Sequence, residues 1–459
     1  MSAVNRQLAS AFNNQANALH AKGQSLAALE LFDQALVLDP DFVEAHSNRG
    51  NALRRLKRHQ EAIASYQRAI ALKGDYGPAH NNMGIAWQEL NDYDTALACH
   101  DRALAINPNN SFAHNNRARA LRAVLRLREA LESYEQAIAC KPDFTEAIWN
   151  KAIVLLMLGD YEQGWALYES RRLVDEAFGR AESFGVPDWR GRESISGKTL
   201  LLYNEQGLGD SIQFCRYAPL LADRGARVLL RVQAPLAPLV AQLKGVSQVL
   251  TPNDPIPYID FQCPLTSLPY SLGTRVDTVP AQSPYLAATP LARAKWEGHF
   301  QAHKKPRIGL VWRGNPLHTN DHNRSIALAE LLTALEGSSD WFGLQKDASP
   351  AEQELLKQCG VADLGEKLES FDDTAAICSH LDMVVSVDTS VAHLAGALGT
   401  PTLLLLPYSP DYRWMVDRTD TPWYPRMRLL RQAKIGQWDQ PLRALSAAVH
   451  LNASQHRAE

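Results

Sequence analysis

Over the first third of the chain, small and ring-bearing positions recur every 34 residues between polar stretches. Pro40, Gly74, Pro108 and Pro142 keep that spacing. Each is preceded by alanines at fixed offsets, Ala28, Ala62, Ala96 and Ala130 and then Ala35, Ala69, Ala103 and Ala137. Between the two alanines stands Phe32, Tyr66, His100 or Tyr134. Small side chains let antiparallel helices approach closely, the ring fills the gap to the next unit, and proline or glycine ends the second helix. The period therefore predicts stacked helix pairs. A fifth unit, Thr145 to Arg172, keeps Tyr168 but has Gly164 and Arg171 at the alanine positions. It reads as a terminal, degenerate repeat that joins something else.

After Phe178 to Lys198, a glycine-containing connector, the period changes. Thr199 to Tyr203 predicts a strand, Gly207-Leu208-Gly209-Asp210 a turn, Ile212 to Asp223 a helix and Val228 to Val232 a strand. The pattern weakens at Pro280 to Pro290 and restarts. Strands are predicted at Arg307 to Trp312, Trp341 to Leu344, Met383 to Val387 and Thr402 to Leu406, with helices at Ala327 to Leu335, Thr374 to His380 and Val391 to Leu398. Alternating strands and helices imply parallel sheets covered on both faces, with ligands at the C-terminal ends of the strands.

The 34-residue pattern is that of the tetratricopeptide repeat (TPR). The fold class is thus α + α/β, an N-terminal all-α TPR superhelix followed by a GT-B domain of two Rossmann-like lobes. The expected divisions are a solenoid over 1–177, a linker over 178–197, an acceptor lobe over 198–300 and a donor lobe over 301–459.

Composition adds little. Hydrophobic content of 46%, charged content of 21% and a net charge of -3 suit a globular protein and give no sign of a nucleic-acid partner. No apolar run reaches membrane-spanning length, and Met1 to Phe12 lacks a signal-peptide core. Six scattered cysteines without a CxxC pair indicate neither zinc nor redox chemistry. A cytoplasmic location is expected.

Three segments carry candidate chemistry. Asp388-Thr389-Ser390, followed by His393, lies between a buried strand and a helix, where unpaired amides and hydroxyls can hold a diphosphate. Plain N-capping by Asp388 or Thr389 is the alternative. The turn Glu205 to Asp210 lacks the third glycine of a dinucleotide fingerprint, which argues against NAD. The loop Trp312 to Ser325 offers His318 and Arg324, and Gln345 and Lys346 end the next strand. Asn14, Asn48, Asn82, Asn116 and Asn150 recur at the repeat period. Their amides either grip the backbone of an extended peptide or bond within the solenoid.

Asp388-Thr389-Ser390 with His393-Leu-Ala-Gly396-Ala-Leu-Gly399-Thr-Pro401 resembles the donor-binding motif of ADP-heptose heptosyltransferases, over roughly Lys198 to Gln432. That resemblance implies nucleotide-sugar phosphates at Asp388, Thr389, Ser390 and His393, and a general base at Asp210. The architecture, and the asparagine ladder in it, resemble the TPR-bearing O-linked N-acetylglucosamine transferases. The position of Arg324 resembles that of their phosphate-binding lysine, which implies that Arg324 meets the donor's diphosphate.

The expected function is a metal-independent glycosyltransferase with no cofactor, acting from a nucleotide-sugar donor on a protein Ser or Thr hydroxyl. The acceptor protein is delivered by the TPR groove. Asp210 and His318 are the candidate catalytic residues. Arg324, Gln345, Lys346, Asp388, Thr389, Ser390 and His393 are the candidate donor residues, and the five asparagines the acceptor residues. The alternatives are a heptosyltransferase-like enzyme on a lipid-linked or surface glycan, and a non-catalytic scaffold with a degenerate transferase domain.

Overall fold

Five inter-helix turns, again 34 residues apart, place one residue each in the left-handed region: Gly23, Lys57, Asn91, Leu125 and Gly159. Glycine takes φ near 84° at no steric cost, and the other three are held near 60° by the helices on either side. In the computed structural model these turns join α1 (Ala3–Ala21) to α2 (Ser25–Leu38), α3 (Val43–Arg55) to α4 (His59–Leu72), and α5 (Gly77–Glu89) to α6 (Tyr93–Ile106). They also join α7 (Ser111–Ala123) to α8 (Leu127–Cys140) and α9 (Thr145–Met157) to α10 (Tyr161–Tyr168). The structure describes residues 3–174, 182–301, 305–316, 320–335 and 339–456. The chain divides into two compact units, Met1–Val154 and Leu155–Glu459.

In the first unit the eight spaced alanines are fully buried, as are Phe32, Tyr66, His100 and Tyr134. The rings need small partners. A Cβ on Gly50 would meet the Tyr66 ring at 2.5 Å, and one on Gly84 the His100 ring at 2.7 Å.

The second unit opens with the last helical turns and continues into two parallel sheets. The first has β1 (Thr199–Tyr203), β2 (Arg227–Arg231), β3 (Val246–Leu250) and β4 (Phe261–Pro264) in the order β3-β2-β1-β4. The second has β5 (Arg307–Val311), β6 (Asp340–Gly343), β7 (Ala362–Asp363), β8 (Met383–Val387), β9 (Thr402–Leu406) and β10 (Met427–Arg431). Its order is β10-β9-β8-β5-β6-β7, and all its pairings are parallel. Leu310, Trp312, Val385, Val387, Leu405 and Leu445 form its core.

In each sheet the winding reverses once, between β1 and β4 and between β5 and β8. Loops leaving neighbouring strands at such a point turn to opposite faces and open a crevice. The loops after β1, β5 and β8 are those singled out by their residues.

One predicted helix is broken into pieces. Instead of running from Ile212 to Asp223, α11 spans Leu208–Phe214, a 3₁₀ turn follows at Cys215–Tyr217, and a short helix resumes at Ala218–Ala222. Pro219 has no N–H for the carbonyl of Cys215, so the α-helical ladder breaks there. The amide of Ala218 takes that carbonyl instead.

Candidate functional site

The helix after β8, α15 (Ser390–Leu398), begins at the reversal point of the second sheet. Thr389 is its N-cap in extended conformation, and its side chain does not cap the helix. Thr389 Oγ1 instead meets Ser386 Oγ at 3.2 Å. The Thr389 hydroxyl thus leaves the first-turn amides uncapped, which is the condition for taking an anion. Arg324 comes from the loop after β5. Its Nε donates to Asp321 Oδ1 at 3.1 Å, and its guanidinium lies against Gly314. Its charge acts on both Asp388 and His393, so the two loops converge.

The first sheet supplies α11, which packs on α15. The approach is close, since a Cβ on Gly209 would lie 2.8 Å from His393 Cδ2. The third residue of α11 is Asp210, and its carboxylate pairs with Arg413. Arg413 also donates from Nε to Gln213 Oε1 at 2.6 Å and from Nη1 to Asp411 Oδ1 at 2.8 Å. Arg413 thus bridges the α11 segment of the first lobe and the loop after β9 in the second. The sequence offered little sign of it beyond one arginine in the aromatic run Tyr412-Arg413-Trp414.

Electrostatics at this junction are dominated by burial. Burial raises Asp210, helped by the charge of Asp411, and Arg413 with the amides of Gly207 and Asp210 opposes it. Asp388 rises to about 6, first through burial and then through Asp411, against the pull of Trp414, Arg324 and Arg413. Burial and the cations Arg413, Arg216 and Arg324 hold His393 well below its ordinary value, so it is neutral at pH 7. Its Nδ1 meets the Tyr424 hydroxyl at 2.8 Å, and its ring stacks on Trp414. For Arg413, burial works toward discharge, but Asp411, Tyr412 and Asp210 outweigh it and the guanidinium stays charged.

A testable consequence follows from Asp388. A carboxyl raised in the fold is ionised more easily in the unfolded chain, so stability falls as pH rises from about 4 through 6. A shift of that size corresponds to at most about 3 kcal/mol. Asp388→Asn is expected to melt higher than wild type at pH 7.5 and to lose the advantage at pH 4. Parallel thermal melts check this, and identical profiles contradict it.

The remaining candidates are placed as follows. Gln345 is buried, with Oε1 accepting from the Arg313 amide at 3.2 Å and Nε2 donating to Asp347 Oδ1 at 2.6 Å. Lys346 is exposed. His318 lies outside the described residues. Glu205 accepts from Arg171 and from Thr266 Oγ1, both at 2.6 Å, and is committed to them. Asn48 donates to Asn13 and Asn82 to Asn51, each at 3.0 Å. Asn116 donates to Asn81 and Asn150 to Asn115, each at 3.2 Å. Asn14 is exposed. Four amides of the ladder are therefore bonded to asparagines on the preceding first helix. That second file of asparagines escaped the sequence reading because it breaks at Ser47.

Residues 13–76, 77–110 and 115–172 match the tetratricopeptide repeat, and residues 342–437 match glycosyltransferase family 9 (heptosyltransferase). The chain joins tetratricopeptide repeats to a family 9 glycosyltransferase domain. The transferase match spans Gln345, Asp388, Thr389, Ser390, His393 and Arg413. Protein FlbA of Caulobacter vibrioides is 25% identical over 326 residues, which are 65% of this chain and 54% of that protein. The chain thus spans about half the length of this curated relative. The repeats are similar to those of YrrB, a TPR protein described as having an unusual peptide-binding site (22% identity, 36% of this chain, 86% of that chain, TM-score 0.30). They are also similar to a thermophilic TPR protein, TTC0263 of Thermus thermophilus (20% identity, 37% of this chain, 92% of that chain, TM-score 0.34). Among the described residues, no helix is long and apolar enough to cross a membrane.

Proposed function

We propose that the protein transfers a sugar from a nucleotide-sugar donor to a Ser or Thr hydroxyl of a protein that the repeats deliver. The observation that carries this reading is the uncapped start of α15 at the sheet's reversal point, with Arg324 alongside and inside a glycosyltransferase context. The donor's diphosphate lies against the amides and hydroxyls of Thr389 and Ser390. Asp210 takes the proton of the attacking hydroxyl as oxygen bonds to the anomeric carbon. The bond from that carbon to the diphosphate breaks, and its electron pair leaves with the phosphate. Arg324 and the helix start meet the growing negative charge, so neither a metal nor a cofactor is invoked. A carboxyl raised by burial suits the base, because proton transfer is most efficient when its pKa approaches the working pH.

His318 is proposed to touch sugar or acceptor, Gln345 and Lys346 to border the donor, and the cytoplasm to be the working compartment. The asparagine ladder grips acceptor backbone only by exchanging the bonds it makes between repeats, or through its remaining lone pairs. The family's description as heptosyltransferase favours a second reading, transfer to a lipid-linked or surface glycan with the repeats docking a protein partner.

A thermal-shift screen of nucleotide sugars, followed by intact-mass analysis of co-expressed candidate proteins, separates the two. A mass increase equal to one sugar residue supports protein acceptors. Donor stabilisation without such an increase favours the glycan. Arg324→Ala is expected to weaken nucleoside-diphosphate binding about tenfold, the loss of one charged hydrogen bond. Unchanged affinity in the folded variant removes Arg324 from the site.

A further inference from the structure

The reversal point of the first sheet is not open. Arg171, in the turn after α10, fills it and is 1% exposed. Its Nη2 donates to Glu205 Oε2 at 2.6 Å, after β1, and to Ser267 Oγ at 2.7 Å, after β4. Its guanidinium rests on the Tyr168 ring, 5.0 Å from the centroid. The Tyr168 hydroxyl in turn accepts from Gln206 Nε2 at 3.2 Å. Glu205 and Gln206 lie in the loop between β1 and α11, five and four residues before Asp210. The Tyr168 ring also packs on Tyr412, with centroids 5.5 Å apart, and Tyr412 immediately precedes Arg413. One short segment, Tyr168 to Arg171, therefore bears on both members of the Asp210–Arg413 pair, which come from different lobes.

We infer that Arg171 is a positioning residue of the transferase site, so that the end of the repeat array is a working part of the catalytic centre. The inference rests on the proposed role of Asp210. Nη2 holds Glu205 and Ser267 while Nη1 donates to Glu169 Oε1 at 2.7 Å; a planar, two-armed guanidinium does this while lying flat on an aromatic ring, which an ammonium cannot do. That grip fixes the loop after β1, and the loop sets the start of α11 and so where the Asp210 carboxylate points. A misplacement of about 1 Å at a catalytic group is enough to cost a large share of the rate. The degenerate repeat then has a physical reason. Arginine replaces the alanine of the repeat pattern because this position faces the crevice of a sheet.

The test uses the full chain with Arg171→Lys, which keeps the charge and loses the fork. Arg231→Lys is the control, since Arg231 is another buried arginine of the same lobe, paired with Glu182. Hydrogen exchange is read peptide by peptide. Arg171→Lys is expected to speed exchange at least tenfold in the Glu205 to Phe214 segment, with little change in β5 to β10. Arg231→Lys is expected to leave that segment alone. With a hydrolysable nucleotide sugar, kcat is expected to fall tenfold or more while the dissociation constant of the free nucleoside diphosphate stays within twofold. Unchanged exchange in the turn, or faster exchange spread evenly over the lobe in both variants, overturns the inference, as does a wild-type kcat. Failure of wild type to bind any nucleoside diphosphate overturns the proposed function instead, and the exchange comparison still decides the place of Arg171.

Discussion

Asp210→Asn is expected to lower transfer by about 10²–10⁴, the usual contribution of a positioned general base. The substitution preserves the shape of the side chain and can still accept a hydrogen bond from Arg413, but it cannot take the proton. Arg413 keeps Asp411 as a charged partner at 2.8 Å, so the fold does not acquire an isolated buried cation. Donor affinity and melting temperature are therefore expected to stay near wild type. Steady-state transfer, or donor hydrolysis where no acceptor is in hand, measures the rate. Full activity in a folded Asp210→Asn protein assigns the base elsewhere. A variant that melts far below wild type makes Asp210 structural.

Arg413→Met carries the largest expected effect on stability. It removes the cation from between Asp210 and Asp411 and leaves two carboxylates facing one another. Breaking a buried pair in this way costs about 3–5 kcal/mol. Adding Asp210→Asn and Asp411→Asn to Arg413→Met is expected to restore much of the loss, because the penalty lies in the unpaired charge. Such non-additivity is the mark of residues in one network. Urea unfolding of the second unit, followed by tryptophan fluorescence, reads it, since Trp414 and Trp423 are fully buried in that unit and become exposed when it unfolds. Stability equal to wild type for Arg413→Met alone contradicts the network.

The ends of β1, β8 and β9 were legible because each is a short, mostly apolar run closed by polar residues or proline, and the structure places all three where the sequence does. The helix pairs were legible because close packing of two helices demands small residues at a fixed interval. What stayed hidden is contact over long sequence separation. Arg413 and Asp210 stand 203 residues apart, and nothing local in either segment announces the other. Arg171 looked like decay of a repeat, since its partners Glu205 and Ser267 lie 34 and 96 residues away. The asparagine ladder was visible as a spacing, but spacing does not tell whether an amide faces a ligand or the next helix. Asn48, Asn82, Asn116 and Asn150 face the first helix of the preceding repeat.

The most direct measurement is a structure of the full chain crystallised with a nucleoside diphosphate. The two phosphates are expected between the loops after β5 and β8, within hydrogen-bond distance of the amides of Thr389 or Ser390 and of the Arg324 guanidinium, with Asp210 facing the β-phosphate from across the cleft. A diphosphate bound at any other place, or a start of α15 left empty at saturating nucleotide, contradicts that placement.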